Sequence, residues 1–71
     1  MKGVLRVLSR NGDDEYPWEN EKTAEDAKRM FDDLIVKRHA AFAKRVDGHE
    51  RIKEFDPNAE EIIMVRPLVG G

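Results

Sequence analysis

The residues best placed to do chemistry are the last two, Gly70 and Gly71. Glycine has no Cβ, so a Gly-Gly segment can thread a narrow site with close backbone approach and broad freedom in φ and ψ. The group delivered this way would be a carboxylate on Gly71, a poor electrophile until one of its oxygens becomes a good leaving group. At the usual glycine frequency of about 7%, chance alone gives such an ending at roughly 0.5%. The plainer alternative is a pair of small residues in a flexible terminus, where variation is tolerated.

Other groups fit chemistry less well. His39 and His49 are the only histidines, and neither shares a helical or strand spacing with a second clear ligand, so no metal site is expected. Asp32-Asp33 and Glu60-Glu61 are sequence neighbours that point in different directions on any regular element, which makes solvated carboxylates of them rather than acid-base pairs. The chain has no cysteine and hence no disulfide, thiolate ligand or sulfur nucleophile of its own. Lys37, Arg38, Lys44, Arg45, Arg51 and Lys53, with Phe42 for stacking, could form a nucleic-acid surface. Asp47, Glu50, Glu54 and Asp56 are interleaved with them, so a mixed, salt-laced face accounts for the same residues. Tyr16 and Trp18, two apart, either cover the core or form an exposed contact patch, with core cover favoured.

Seventy-one residues make one domain with one core. Apolar and charged residues each account for 39% of the chain, which leaves little apolar surplus for a deep catalytic pocket and disfavours a self-contained enzyme. A net charge of -2 offers no global attraction to nucleic acid or to an anionic membrane. No apolar run approaches the roughly 20 residues of a membrane span, and the N-terminal stretch is too short and too charged for a signal peptide. The expectation is a cytoplasmic protein, or a phage-associated one inside a host cell.

The elements that must position these residues can be read along the chain. Val4, Leu5, Val7 and Leu8 lead to Asn11-Gly12, a tight-turn dipeptide, and predict a hairpin returning over Asp13 to Glu19. Pro17 lacks an N–H and suits an edge strand. Ala24, Ala27, Met30 or Phe31, Leu34 and Ile35 then recur at helical spacing and predict a helix from about Ala24 to Arg38, capped by Thr23, with Lys37, Arg38 and His39 near its end. Ala40 to Val46, Asp47-Gly48 and His49 to Phe55 read as a second hairpin. After the breaker Asp56-Pro57-Asn58, the run Ile62 to Val65 is apolar on both faces and predicts a central strand, paired in parallel with the first. Leu5, Val7, Ala27, Phe31, Leu34, Ile35, Ile62 and Met64 are the expected core. The expected class is α+β, a mixed sheet with one packed helix in the order β-β-α-β-β-β, with residues 1–67 as the domain and 68–71 as a flexible tail beyond Pro67.

This order, together with Glu60-Glu61, the apolar strand Ile62 to Val65, Pro67 and the final Gly70-Gly71, resembles the ubiquitin-like β-grasp superfamily. Within it, the closest likeness in length and ending is to the sulfur carriers of thiamine and molybdopterin synthesis. The ending EFDPNAEEIIMVRPLVGG also looks like that of short reading frames of phages and bacteria. The first resemblance implies a carrier or protein modifier that binds no cofactor itself. A separate adenylating enzyme would use ATP to activate the Gly71 carboxylate, with Gly70 providing clearance. Arg66, Leu68 and Val69, which lead to the glycines, join Tyr16 and Trp18 as candidate partner contacts. The second resemblance implies a non-conjugating binding protein or a structural protein of a phage assembly. Neither nucleic acid nor a membrane is expected as a partner.

Overall fold

A computed structural model describes residues 2–10 and 12–67. The elements are β1 (Gly3–Ser9), β2 (Gly12–Trp18), α1 (Glu21–Val36), β3 (Ala40–Arg45), β4 (Gly48–Ile52) and β5 (Glu61–Val65). They form a five-stranded mixed sheet in the order β2-β1-β5-β3-β4, with α1 packed across one face. The β-β-α-β-β-β α+β arrangement and the central place of β5 agree with the sequence pattern. β5 pairs in parallel with β1, Leu5 opposite Ile62, and antiparallel with β3, Ala41 opposite Met64. Pro17 does sit on an edge strand, β2, opposite Val4.

The helix begins earlier than its apolar stripe suggests. Asn20, not Thr23, is the N-cap: its side chain accepts from the Thr23 N–H at 2.9 Å, while Thr23 Oγ1 accepts from the Asn20 N–H at 3.0 Å. Two of the free N–H groups at the helix start are satisfied by this reciprocal pair. At the other end Val36 closes the helix, so Lys37, Arg38 and His39 lie beyond its last turn. Arg38 takes a left-handed conformation, φ 67°, and the N–H groups of Arg38 and His39 return to the carbonyls of Ile35 and Leu34 at 2.9 Å each. This is the Schellman ending, with arginine at the position where glycine is usual.

Both hairpins turn one residue before their Gly-containing dipeptides predict. Ser9 pairs with Gly12 and Arg45 with Gly48, so each glycine opens the returning strand, with φ 116° and 129°. In the second hairpin the connection is Val46-Asp47, both at negative φ, and only Gly48 needs the positive value. β4 is also shorter than predicted, ending at Ile52. Phe55 belongs to the following loop and turns inward, edge-on to Trp18 at 5.0 Å and to Phe31 at 5.8 Å between ring centroids.

The core holds six of the eight predicted residues buried, namely Leu5, Ala27, Phe31, Leu34, Ile62 and Met64, with Val7 and Ile35 packed partly buried against them. It also includes Trp18, Ala24, Ala41, Ala43 and Ala59. Strand alternation explains the two alanines of β3: Ala41 and Ala43 share the helix-facing side with their partners Met64 and Ile62. No helix among the described residues is long and apolar enough to cross a membrane.

Candidate functional site

One helix covers one face of the sheet; among the described residues nothing covers the other face, which brings charged and apolar side chains from all five strands together. Alternation assigns it Asp13, Glu15 and Pro17 from β2, Val4, Arg6 and Leu8 from β1, Glu61, Ile63 and Val65 from β5, Ala40, Phe42 and Lys44 from β3, and His49 and Arg51 from β4. The strand registers align five of these in one row across the sheet: Glu15 beside Arg6, Arg6 beside Ile63, Ile63 beside Phe42, Phe42 beside Arg51. The middle is apolar, with half-buried Val4, Phe42 and Ile63 flanked by the more exposed Leu8 and Val65.

Charge is divided across this face. On the β2 side Arg6 is held between Glu15 at 2.8 Å and Glu61 at 3.1 Å. The hydrogen bond to Glu15, then the charge of Glu61, raise the guanidinium pKa above its ordinary value, so Arg6 is a permanent cation. On the β4 side Lys44 stands opposite His49, next to the Phe42–Arg51 pair. The sheet therefore presents acid at its β2 edge, an apolar centre and base at its β4 edge.

The residues singled out in the sequence fall in different places. Trp18 is a core residue, 1% exposed, and donates from Nε1 to the Pro57 carbonyl at 3.1 Å, which removes it from the partner-contact set. Tyr16 is half-buried on the same helix-facing side of β2 and packs against the core. Core cover, the favoured reading of this pair, is the arrangement found. Arg66 is exposed just past β5. Leu68, Val69, Gly70 and Gly71 lie outside the described residues. The neighbouring carboxylates are separated: Asp32 pairs with Lys28 at 2.7 Å, Asp33 with Lys37 at 3.0 Å, and Glu61 with Arg6, while Glu60 is exposed. His39 and His49 stand apart, and among the described residues no three His, Asp or Glu side chains converge as metal ligands would.

Sequence reading missed the open row, because it is assembled from all five strands and no two of its members are close in sequence. The available signal was the alternation in β1, where Val4, Arg6 and Leu8 oppose Leu5 and Val7, but it could be used only with the strand order. It also missed the Arg45 hub: Arg45 binds Asp56 at 2.9 Å and Glu50 at 3.4 Å, tying the second hairpin to the loop before β5. Asp56 in turn accepts from the Asn58 N–H at 2.9 Å. That backbone bond is the main cause of an Asp56 pKa below the ordinary carboxylate value, with Arg45 adding to it and partial burial opposing it.

Compared with family models, curated proteins and solved structures, the chain matches none.

Proposed function

We propose that the chain is a ubiquitin-like sulfur carrier or protein modifier whose working residues are Gly70 and Gly71. The observation that supports this reading is the strand order β2-β1-β5-β3-β4 with a single helix, the arrangement the β-grasp resemblance implies. In it β5 lies at the centre of the sheet and parallel to β1, so Arg66 and Pro67 follow from the middle of one end of the sheet. Both are exposed and outside the strand, and they begin the exit towards the glycines. Pro67 cannot donate to a sheet ladder and so stops β5 from extending further.

The chemistry of this reading belongs to the Gly71 carboxylate and a partner enzyme. A carboxylate oxygen attacks the α-phosphorus of ATP and pyrophosphate leaves; a sulfur or amine nucleophile then displaces AMP from the acyl adenylate. The chain contributes the acyl group and a slender approach, and Gly70 keeps that approach free of a Cβ. Intact mass after incubation of the 71-residue chain with ATP and an adenylating enzyme tests it. An adenylate, a sulfur-for-oxygen exchange or a conjugate, abolished by removing Gly70 and Gly71 or by Gly70→Val, is the expected result. Adducts that survive the truncation, or their absence in the full chain with a competent enzyme, would refute it.

A further inference from the structure

We propose that the open face of the sheet is the interface of a homodimer, in which two copies stack face to face about a two-fold axis running along β5. This stands on a different observation from the carrier reading and does not depend on Gly71. The observation is the row Glu15, Arg6, Ile63, Phe42, Arg51, whose centre is the central strand.

A two-fold axis along β5 turns the second copy over and exchanges left for right across the sheet. Ile63 then meets Ile63, Arg6 meets the partner's ring at Phe42, and Glu15 meets Arg51, with both of the unlike contacts made twice. Each is favourable in kind: an apolar pair, a cation over an aromatic face, and an ion pair. The groups are also available. Glu15 uses Oε1 on Arg6 and its side chain is 54% exposed, leaving Oε2 to accept. Arg51 is exposed and makes no ion pair among the described residues. An in-plane axis at right angles to the strands would instead set Glu15 over Glu15 and Arg51 over Arg51. The division of charge thus selects one self-complementary arrangement, as an isologous contact requires. Glu61 is the one like-charged group brought near the axis, and Arg6 already neutralises it at 3.1 Å.

The same division argues against other occupants. A polyanion drawn to Lys44, His49 and Arg51 would run into Asp13, Glu15 and Glu61 on the other half of the face. Five strands about 4.8 Å apart and about 17 Å long give two stacked copies on the order of 1,000 Å² of buried surface in total, the lower limit for a specific interface. An area at that limit belongs to a weak dimer, and because the axis runs along β5 the two copies of that strand lie parallel, with the twist of each sheet splaying the outer strands.

Sedimentation velocity of the full chain up to about 500 μM measures this, with Glu15→Arg and Arg51→Glu as the variants and far-UV circular dichroism confirming that each is folded. Arg51→Glu lies on an exposed edge strand and does not involve Arg6, so it serves even if Glu15→Arg disturbs the fold. Wild type should dimerise, and each variant alone should bind itself at least ten-fold more weakly, because like charges then face each other twice. Mixed in equal amounts, the two variants should recover the dimer, since Arg at position 15 of one copy faces Glu at position 51 of the other and the remaining pair is native. A wild type that stays monomeric throughout overturns the proposal. So does an Arg51→Glu chain that dimerises as well as wild type.

Discussion

A single methyl group added at Gly3 sets two physical effects against each other. Gly3 is an ordinary extended residue at the start of β1, and in a strand the change to alanine would by itself stabilise by roughly 0.5–1 kcal/mol through lost unfolded-state entropy. The packing says the opposite. A Cβ on Gly3 would lie 2.5 Å from the carbonyl oxygen of Ala59 and would overlap the Trp18 ring, so neighbours must retreat by about 1 Å to reach ordinary contact. Neither yields easily. Trp18 is fixed by its bond to Pro57 and its edge contact with Phe55, while Ala59 is 2% exposed and adjoins the bond from the Val4 N–H to the Glu60 carbonyl. Overpacking of this kind costs about 1–3 kcal/mol, and two rigid neighbours place the net loss near 2 kcal/mol after the strand gain is subtracted. For a domain of this size that lowers the melting temperature by roughly 8–16 °C. Urea and thermal unfolding followed by far-UV circular dichroism measure it, and a Gly3→Ala chain as stable as wild type would refute the packing argument. In a Trp18→Phe background, which removes the ring atom nearest Gly3, the cost should shrink by about 1 kcal/mol; an unchanged cost would assign the whole clash to Ala59.

Phe31→Ala should cost about 3–5 kcal/mol of a total stability of about 4–11 kcal/mol, because Phe31 is 0% exposed, whereas Asp32→Ala, which loses only an exposed pair with Lys28, should cost under about 0.5 kcal/mol; equal urea midpoints would show that the helix faces are misassigned. Arg38→Gly should raise the unfolding free energy by about 1 kcal/mol, since the left-handed backbone at φ 67° strains any residue with a Cβ; a loss of stability would mean that the arginine side chain matters more than the turn. Gly48→Ala should cost about 1 kcal/mol although the space beside it is empty, because the constraint is φ 129° rather than contact, and a neutral result would show that the turn can rearrange. The lowered pKa of Asp56 contributes stability that is complete above the unfolded carboxylate value of about 4 and is lost as the pH falls through the lower native value. Asp56→Asn should therefore be less stable than wild type at neutral pH, with the gap closing on acidification; a gap that persists unchanged under acid would exclude the ionised carboxylate as its source.

Much of the fold was legible because local signals agreed. The apolar run Ile62 to Val65 marked a strand buried on both sides, and burial on both sides belongs to the middle of a sheet, where β5 lies. Pro17 marked an edge for the complementary reason, having no N–H to give a second neighbour. The errors fall where two residues compete for one structural duty. Thr23 and Asn20 are both good caps, and the apolar stripe favours Thr23 because it starts beside it. The two residues instead cap each other, which pushes the helix start back to Glu21. The Gly-containing dipeptides marked turns in the right neighbourhoods, but the strand register moved each glycine out of the turn and into the return strand.

The open face was illegible for a stronger reason. Alternation along one strand tells which residues share a side, but whether Arg6 neighbours Ile63 or some other residue depends on a parallel pairing between segments more than 50 positions apart. Once β5 is inserted between β1 and β3, one register fixes the whole row, and residues from opposite ends of the chain become neighbours. Arg6 then lies between two carboxylates from β2 and β5, and Phe42 between Ile63 and Arg51, although none of these sequence neighbourhoods contains a motif. The core could have tolerated other charges on that side, since burial is decided on the face beneath α1. The core therefore does not require Glu15 and Arg51 at opposite ends of one row; Glu15 already pairs with Arg6, and a second copy turned about β5 is the arrangement in which its second oxygen and Arg51, unpaired among the described residues, meet.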